Sequence, residues 1–292
     1  MRLPRVAATP KRRRGIGEPL RGCRDMITVP RLTGFPLSAL CVACQKFMEH
    51  LIPEAAAVAD PARCLALDEV ALDFTEDTGR ELFWTWESRQ PWVVVGLGQS
   101  VDQEVESEFC RPAGIEVFRR CSGGGAVVQG PGCLNYAVTL AMDRAPELAS
   151  VTTTNSWVMA RLRMALKRVV EGEIAIQGHT DLAWLVGGVW RKFSGNAQRR
   201  RRRALLFHGT LLHTFDLSLI DRCLRHPSAE PAYRAGRSHA GFVTNLEVPP
   251  SVLCESLISG WEASRPAKDF PMERVDALAA TRYRLREWNY RK

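Results

Sequence analysis

Short β-prone segments joined by glycine-rich turns recur through the middle of this chain and restrict its possible folds. Runs such as ELFWTWE and ALLFHGTLLHTF are rich in aromatic and aliphatic residues, and glycine turns at residues 130–132 and 187–188 join neighbouring runs. One long amphipathic segment, SWVMARLRMALKRVVEG, lies between two groups of strands and ends at a glycine, as helices often do. This order predicts an α+β domain with a mixed, largely antiparallel sheet flanked by helices, rather than an alternating βαβ fold.

Composition and periodicity divide the chain into four segments. Residues 1–25 predict a basic tail, residues 26–59 a helical lead-in, residues 60–265 the main folded domain and residues 266–292 a helical C-terminal segment. The tail mixes proline, glycine and arginine without periodicity. We therefore expect it to be disordered, or to reflect a start site assigned too early.

The net charge of +8 is concentrated in that tail. Residues 1–25 contain eight basic and two acidic residues, so +6 of the charge lies there and the remaining body is close to neutral. A dedicated nucleic-acid binder would carry its charge on a folded face, so we do not expect nucleic-acid binding. Met26 and Met48 are the alternative first residues if the start site is wrong.

Hydropathy and cysteine content favour a soluble protein of a reducing compartment, which we expect to be the cytoplasm. No segment has the 18 to 20 uninterrupted apolar residues that a membrane helix needs. The nine cysteines are scattered and odd in number, unlike a disulfide framework. Cys41 and Cys44 form a CxxC pair without a second pair at zinc-finger spacing, so buried thiols are favoured over a metal site.

Three glycines follow two arginines in RRCSGGGAV, residues 119–127. Consecutive glycines cost conformational entropy on folding, so they usually mark backbone with unusual dihedrals or backbone that another molecule approaches closely. The motif has neither the GxGxxG spacing of a dinucleotide loop nor the terminal Lys-Ser/Thr of a Walker loop. By itself it predicts either a ligand-contacting loop or a simple turn between two strands.

Two further motifs follow in order: RKFSGNAQ at residues 191–198 and FHGTLL at residues 207–212. Taken with the glycine motif, they resemble the lipoate-protein ligase family, within the larger group of biotin and lipoate ligases and octanoyltransferases. LALDEVAL, PWVVVGLGQSVDQEV and HTDLAWL extend the resemblance over roughly residues 60 to 250. The resemblance implies a catalytic domain with the biotin/lipoate ligase fold, which is similar to that of class II synthetases.

The resemblance also implies an activity. A ligase of this family activates lipoate or octanoate with ATP to an acyl-adenylate and transfers the acyl group to a lysine of a lipoyl domain. Activation brings a carboxylate to the α-phosphate, and cations and bare backbone amides suit two anions that must meet. The implied partners are lipoyl domains of 2-oxoacid dehydrogenase E2 subunits or the glycine-cleavage H protein, with a separate accessory subunit as a further candidate.

Carried over residue by residue, the motifs give one candidate catalytic residue, Lys192, whose ammonium would contact the acyl carbonyl and phosphate. Asp181 is the candidate Mg²⁺ ligand, because a hard carboxylate suits that ion. His208 is expected to shape the adenylate pocket, either as an acid–base group or by packing. The residues expected to bind ATP and the acyl group are Arg119, Arg120, Ser122, Gly123, Gly124, Gly125, Ala126, Val127, Val128, Asp181, Ser194, Gly195, Ala197, His208, Gly209 and Thr210.

Five consecutive arginines, Arg199 to Arg203, follow the lysine motif. They lack the interleaved aromatic residues that stack on bases, which argues against a nucleic-acid patch. As a loop between two strands of the site, they would attract ATP or an acidic lipoyl domain, or they would simply be solvated.

Three alternatives to a complete ligase remain open from the sequence. An octanoyl or lipoyl transferase would use a preformed acyl donor, and ligase-like transferases carry a cysteine just upstream of the lysine strand, where QGHTDLAWLVGGVWRK has none. A catalytically inactive binding protein of the same fold is the second alternative. The third is a short form that depends on an accessory subunit, because only about 40 residues follow Val248.

Overall fold

The computed structural model describes residues 47–53, 60–227 and 229–291. The expectations for residues 1–25, Cys41 and Cys44 lie outside these residues. The strands are β1 Met48–His50, β2 Glu81–Glu87, β3 Trp92–Val95, β4 Val117–Arg119, β5 Val127–Gln129, β6 Cys133–Ala141, β7 Ile174–Gln177, β8 Asp181–Val186, β9 Val189–Arg200, β10 Ala204–Leu212 and β11 Arg265–Pro266.

The α-helices number nine within the described ranges. They are α1 Pro61–Thr78, α2 Val101–Glu104, α3 Ser107–Cys110, α4 Val151–Leu166, α5 Ser218–Cys223, α6 His239–Phe242, α7 Pro250–Trp261, α8 Met272–Leu278 and α9 Arg286–Asn289. Short 3₁₀ segments occupy Pro146–Ala149 and Ala232–Arg234, and a π-helical segment occupies Ala279–Tyr283. Within the described ranges, no helix is both long enough and apolar enough to cross a bilayer.

The strands form one large and one small sheet. The large sheet has the order β11-β1-β2-β6-β10-β9-β8-β7, and all pairs from β2 to β7 are antiparallel, whereas β1 pairs parallel with β11 and β2. The small sheet has the order β4-β3-β5, with β3 and β4 parallel. The predicted α+β class with a largely antiparallel sheet is confirmed, although the strands fall into two sheets.

Local signals explain the boundaries of helix α1. Asp60 caps its first turn by accepting a hydrogen bond from Ala62 N, and Pro61 occupies the first helical position. The helix ends at Gly79, whose φ of 71° suits a residue without Cβ. The apolar side of α1 packs on one face of the large sheet, and α4 and α7 pack on the other face.

The helical prediction for residues 26–59 is wrong where the structure describes that segment, because Met48–His50 forms strand β1. Pairing with β2 on one side and β11 on the other stabilises an extended segment that its own sequence does not specify. The C-terminal segment contains helices α8 and α9, and its Val275, Ala279 and Tyr283 are buried in the core beside α1. Residues 60–265 and 266–291 therefore share one core.

The arginine run is only partly a loop. Arg199 and Arg200 belong to β9, and the turn begins after them. Arg201 forms an ion pair with Asp73 at 2.9 Å, and Arg203 donates its backbone N–H to Glu76 at 2.7 Å. Helix α1 therefore supplies acidic partners for the turn, and Arg202 is left exposed to solvent.

Candidate active site

One cavity of about 790 Å³ collects most of the predicted site residues. Helix α1, the small sheet, β6, β8 to β10 and the segment from residue 224 to 243 surround it. The predicted residues that line it are Arg120, Gly124, Gly125, Ala126, Val127, Val128, Asp181, Lys192, Ser194, Gly195, Ala197, His208, Gly209 and Thr210. Arg119, Ser122 and Gly123 do not line it. The three motifs therefore meet at one cavity, but three of their residues lie outside its wall.

The glycine loop, residues 120–125, connects β4 to β5 at one side of the cavity. Gly124 has a φ of 87°, a conformation that other residues adopt only at a cost. A Cβ at Gly96 would lie 2.1 Å from Gly124 O, so the neighbouring turn must also carry a glycine. Glycine is therefore required at both positions, because a side chain would be strained at Gly124 and would clash at Gly96.

Arg120 holds the glycine loop in place through hydrogen bonds from its side chain. Its Nε donates to Ser122 Oγ at 3.0 Å, and its Nη2 donates to Gly123 O at 2.6 Å and to Gly125 O at 2.8 Å. Burial lowers the pKa of Arg120 to about 10, which leaves the guanidinium charged at neutral pH. Its donors therefore fix the carbonyls of the loop, and its positive charge remains at the wall of the cavity.

Arg119 does not reach the cavity, contrary to the expectation that it binds the nucleotide. Its side chain is fully buried and donates to backbone carbonyls in two segments, residues 96–99 and 288–291. Trp288 Nε1 donates back to Arg119 O at 2.9 Å. The first arginine of the motif joins the C-terminal segment to the small sheet, and the second lies at the site.

Lys192 and Asp181 line the same cavity as the glycine loop and lie on neighbouring strands β9 and β8. Lys192 Nζ is 2.8 Å from Asp181 Oδ1, and Tyr233 donates its hydroxyl to Asp181 Oδ2 at 2.9 Å. Burial, followed by the adjacent Asp181 carboxylate, raises the pKa of Tyr233 above its usual value, so it remains a donor. The Lys192 side chain is 28% exposed, which leaves its ammonium accessible from the cavity.

Glycines make room around the lysine strand. A Cβ at Gly195 would lie 2.9 Å from both Cε and Nζ of Lys192, and a Cβ at Gly209 would lie 1.8 Å from Asn196 Oδ1. Asn196 Nδ2 donates to Thr180 O at 2.7 Å and to Ser194 Oγ at 3.1 Å, while Tyr136 OH contacts its Oδ1. These contacts hold β9 in the position that presents Lys192.

His208 lies between the glycine loop and helix α1. Its Nε2 is 2.6 Å from Ser122 Oγ, and its Nδ1 is 2.6 Å from Asp68 Oδ2. Both ring nitrogens therefore contact protein atoms, and His208 links the glycine loop to helix α1.

Four residues of the site were not expected from the sequence: Asp68, Tyr136, Asn196 and Tyr233. Of these four, only Asp68 carried a signal in the sequence, because it is an acidic residue among the apolar positions of helix α1. Asn196 lies inside RKFSGNAQ but matches no pattern, and Tyr233 reaches Asp181 from 52 residues away.

The described residues contain no group of three or more His, Cys, Asp or Glu side chains arranged to hold a metal ion. Asp181 has both oxygens engaged, by Lys192 and by Tyr233. No cysteine is among the described residues that line the cavity. Burial and the nearby Glu69 and Asp68 carboxylates raise the pKa of the Cys121 thiol to about 12, so it remains protonated.

The fold and the site together correspond to acyl-protein ligases and transferases. A family model described as the lipoyl protein ligase A/B catalytic domain matches residues 60–254, and the chain belongs to this family. A homologue of lipoate-protein ligase A from Aeropyrum pernix is 34% identical over 207 residues, which are 69% of this chain and 70% of that protein.

A transferase is also among the relatives. An octanoyltransferase named LipM from Carboxydothermus hydrogenoformans is 27% identical over 257 residues, which are 79% of this chain and 94% of that protein. Among solved structures, a bipartite lipoate protein ligase from Thermoplasma acidophilum covers 84% of this chain and 96% of its own, with a TM-score of 0.69 and 22% identity. At that identity the likeness concerns the fold, and the family includes both ligases and transferases.

Proposed function

We propose that this protein activates lipoate or octanoate with ATP and transfers the acyl group from the adenylate to a lysine of a lipoyl domain. The observation that carries this proposal is the position of Lys192. An accessible ammonium, held by one carboxylate, lines the same cavity as a loop of bare backbone. That arrangement suits a reaction in which a carboxylate attacks a phosphate and both anions need compensation.

Lys192 acts on the reacting oxygens in this proposal. When the acyl carboxylate and the α-phosphate enter, they compete with Asp181 for the ammonium, which moves onto the oxygens where negative charge develops. Lysine suits this role because its charge is compact and its stem is flexible. Interactions that strengthen as charge develops accelerate the reaction more than those already made to the substrate.

The glycine loop provides another part of the wall for the phosphates. Gly124 and Gly125 line the cavity with backbone only, and the Arg120 charge lies directly behind them. Once Lys192 has moved from Asp181 to the reacting oxygens, Asp181 Oδ1 would be free to hold Mg²⁺ together with the nucleotide phosphates, since that ion is commonly bound through one or two carboxylates plus substrate oxygens. Mg²⁺ supplies charge neutralisation between adjacent phosphate groups.

Two structural neighbours support the choice of substrates. One is a Thermoplasma acidophilum protein, 22% identical to this chain, that was solved with bound lipoic acid, and the other is a lipoate-protein ligase A, 23% identical, that was solved with bound ATP. The acyl acceptor proposed here is a lipoyl domain of an E2 subunit or of an H protein. The bipartite Thermoplasma ligase supports a further proposal that a separate subunit completes the activity.

The test is incubation of the purified full chain with lipoate or octanoate, an apo lipoyl domain, and either Mg-ATP or no nucleotide. A mass gain on the acceptor that requires ATP, together with pyrophosphate release, is the expected result. If the acceptor is acylated only from a preformed acyl-adenylate or an acyl-carrier thioester, the protein is a transferase and not a complete ligase. Binding of lipoate without acylation from any donor would indicate an inactive binding protein.

A further inference from the structure

Beneath the glycine loop, four side chains form one continuous hydrogen-bonded chain from helix α1 to the loop carbonyls. Asp68 Oδ2 is 2.6 Å from His208 Nδ1, and His208 Nε2 is 2.6 Å from Ser122 Oγ. Ser122 Oγ is 3.0 Å from Arg120 Nε, and the same guanidinium binds the carbonyls of the loop. Asp68, Ser122 and Arg120 are each less than 10% exposed.

The direction of each hydrogen bond follows from the chemistry of the groups. Arginine can only donate, so Ser122 Oγ accepts from Arg120 Nε. The carboxylate of Asp68 can only accept, so His208 carries a proton on Nδ1. If Nδ1 carries the only ring proton, Nε2 is an acceptor and the Ser122 hydroxyl donates to it. Every group in the chain has one role, with no conflict between neighbouring donors.

Asp68 makes one strong contact. Its second oxygen, Oδ1, is buried and has no hydrogen-bond donor among the described residues. A buried carboxylate that is only half satisfied costs stability, so packing alone does not explain an aspartate at this position of α1. Its contact with His208 does explain it.

We propose that Asp68 is a positioning residue that sets the shape of the glycine loop through His208, Ser122 and Arg120. The carboxylate fixes the Nδ1–H tautomer of His208, the imidazole orients the Ser122 hydroxyl, and Ser122 anchors Arg120 beneath Gly123 and Gly125. Asp68 thereby acts on the loop through its neighbours. The importance of the loop for catalysis rests on the proposed function, whereas the hydrogen-bonded chain itself does not.

The test uses NMR spectroscopy of the ligand-free protein, so its result is independent of any activity. In the wild type, the His208 ring should be neutral with the proton on Nδ1, and Arg120 Hε should exchange slowly with solvent. In Asp68→Ala, the fixed tautomer should be lost and Arg120 Hε should exchange up to about tenfold faster, because loss of its hydrogen bond to Ser122 Oγ leaves only the one to Gly123 O at 3.1 Å.

Two controls separate positioning from general destabilisation. Arg119 Hε, held by Trp288 O at 3.1 Å outside the chain, should keep its exchange rate in Asp68→Ala. Glu69→Gln changes the next residue of α1, a buried acid that accepts from Tyr283 OH at 2.6 Å, and should leave the His208 tautomer unchanged.

A double variant tests whether the side chains act as one network. The effects of Asp68→Ala and Ser122→Ala on Arg120 Hε exchange should be strongly non-additive, as they are for members of one network.

The proposal is overturned if His208 is doubly protonated or carries its proton on Nε2 in the wild type. Equal acceleration of Arg119 Hε and Arg120 Hε in Asp68→Ala, or additive effects of the two variants, would also overturn it. If the protein forms adenylate, Asp68→Ala should raise the KM for ATP about tenfold, as expected for the same lost hydrogen bond. Absence of adenylate formation in the wild type would reject the proposed function and leave the NMR result standing.

Discussion

The glycine loop and strand β9 face the same cavity, but their cations differ in what they contact. On the loop side, Arg119 and Arg120 donate mainly to backbone carbonyls of the protein. On the strand side, Lys192 contacts one carboxylate and remains partly exposed. A positive residue in a motif is therefore a candidate for ligand contact only if the fold leaves its donors free.

Replacement of Lys192 tests the strand side and should have the largest effect. Lys192→Ala should reduce the rate of pyrophosphate release by roughly a hundred- to a thousandfold, or about 3 to 4 kcal/mol, because it removes the charge that compensates the reacting oxygens. Lys192→Arg should also fail largely, since a planar guanidinium cannot replace a compact ammonium. Near-normal release in Lys192→Ala, with an unchanged circular dichroism spectrum, would reject the assignment.

Replacement of Arg119 tests the loop side and should affect stability. Arg119→Met should lower the free energy of unfolding by about 2 to 3 kcal/mol, because buried carbonyls at residues 96–99 and 288–291 lose their donor. Urea titration followed by fluorescence measures this loss. Arg202→Met, at an exposed position of the β9–β10 turn, is the control and should stay within about 0.5 kcal/mol of the wild type.

A methyl group added at residue 195 tests whether the position of Lys192 matters. Gly195→Ala should lower kcat/KM by about tenfold or more, because the new Cβ would lie 2.9 Å from Lys192 Nζ and displace it. Gly98→Ala adds the same group where no atom lies within 4 Å and should leave kcat/KM nearly unchanged. Equal kcat/KM values in the two variants would show that the ammonium tolerates displacement.

Two adjacent glycines provide a matched pair within the loop. Gly124→Ala should cost about 1 to 2 kcal/mol, because its φ of 87° disfavours a side chain and Arg120 Nη2 lies 3.0 Å from the new Cβ. Gly123→Ala meets no atom within 4 Å and has no positive φ, so it should cost less. Thermal unfolding of both variants, compared with the KM for ATP, separates strain in the loop from loss of nucleotide contact.

The smallest effect is expected at Cys121, which lies in the glycine motif but not in the cavity wall. Its pKa of about 12, raised by burial and by Glu69 and Asp68, keeps the thiol protonated at pH 8. Cys121→Ala should therefore retain activity within about twofold, because a protonated buried thiol contributes no nucleophile to the reaction. Rapid alkylation of Cys121 in the folded protein, or an acyl group trapped on it as a thioester, would support the transferase instead.

Sequence patterns predicted the elements better than the contacts between them. The hairpin at Gly187 and Gly188 was predicted, and local signals at Asp60 and Gly79 explain where helix α1 begins and ends. Strands β1, β7 and β11 were not predicted. Each is only two to four residues long, and its pairing partners stabilise it more than its own composition does.

The residues of the candidate site were likewise predicted only in part. Lys192, Asp181, Gly124 and Gly125 were predicted from motifs, and the structure brings them to one cavity. Tyr233 was missed because its contact with Asp181 joins residues 52 positions apart, and no periodic pattern records such a pairing.

By itself, the sequence determined where the chain must turn, which residues carry charge, and which motifs place it near a known family. These properties depend on each residue and its immediate neighbours, through backbone conformational preference and hydrophobic periodicity. Only the tertiary structure decided that Arg119 holds the C-terminal segment while Arg120 supports the loop, and that Asp68 reaches His208 across 140 positions. Those outcomes depend on which donors and acceptors are buried together, and burial is a property of the packed chain.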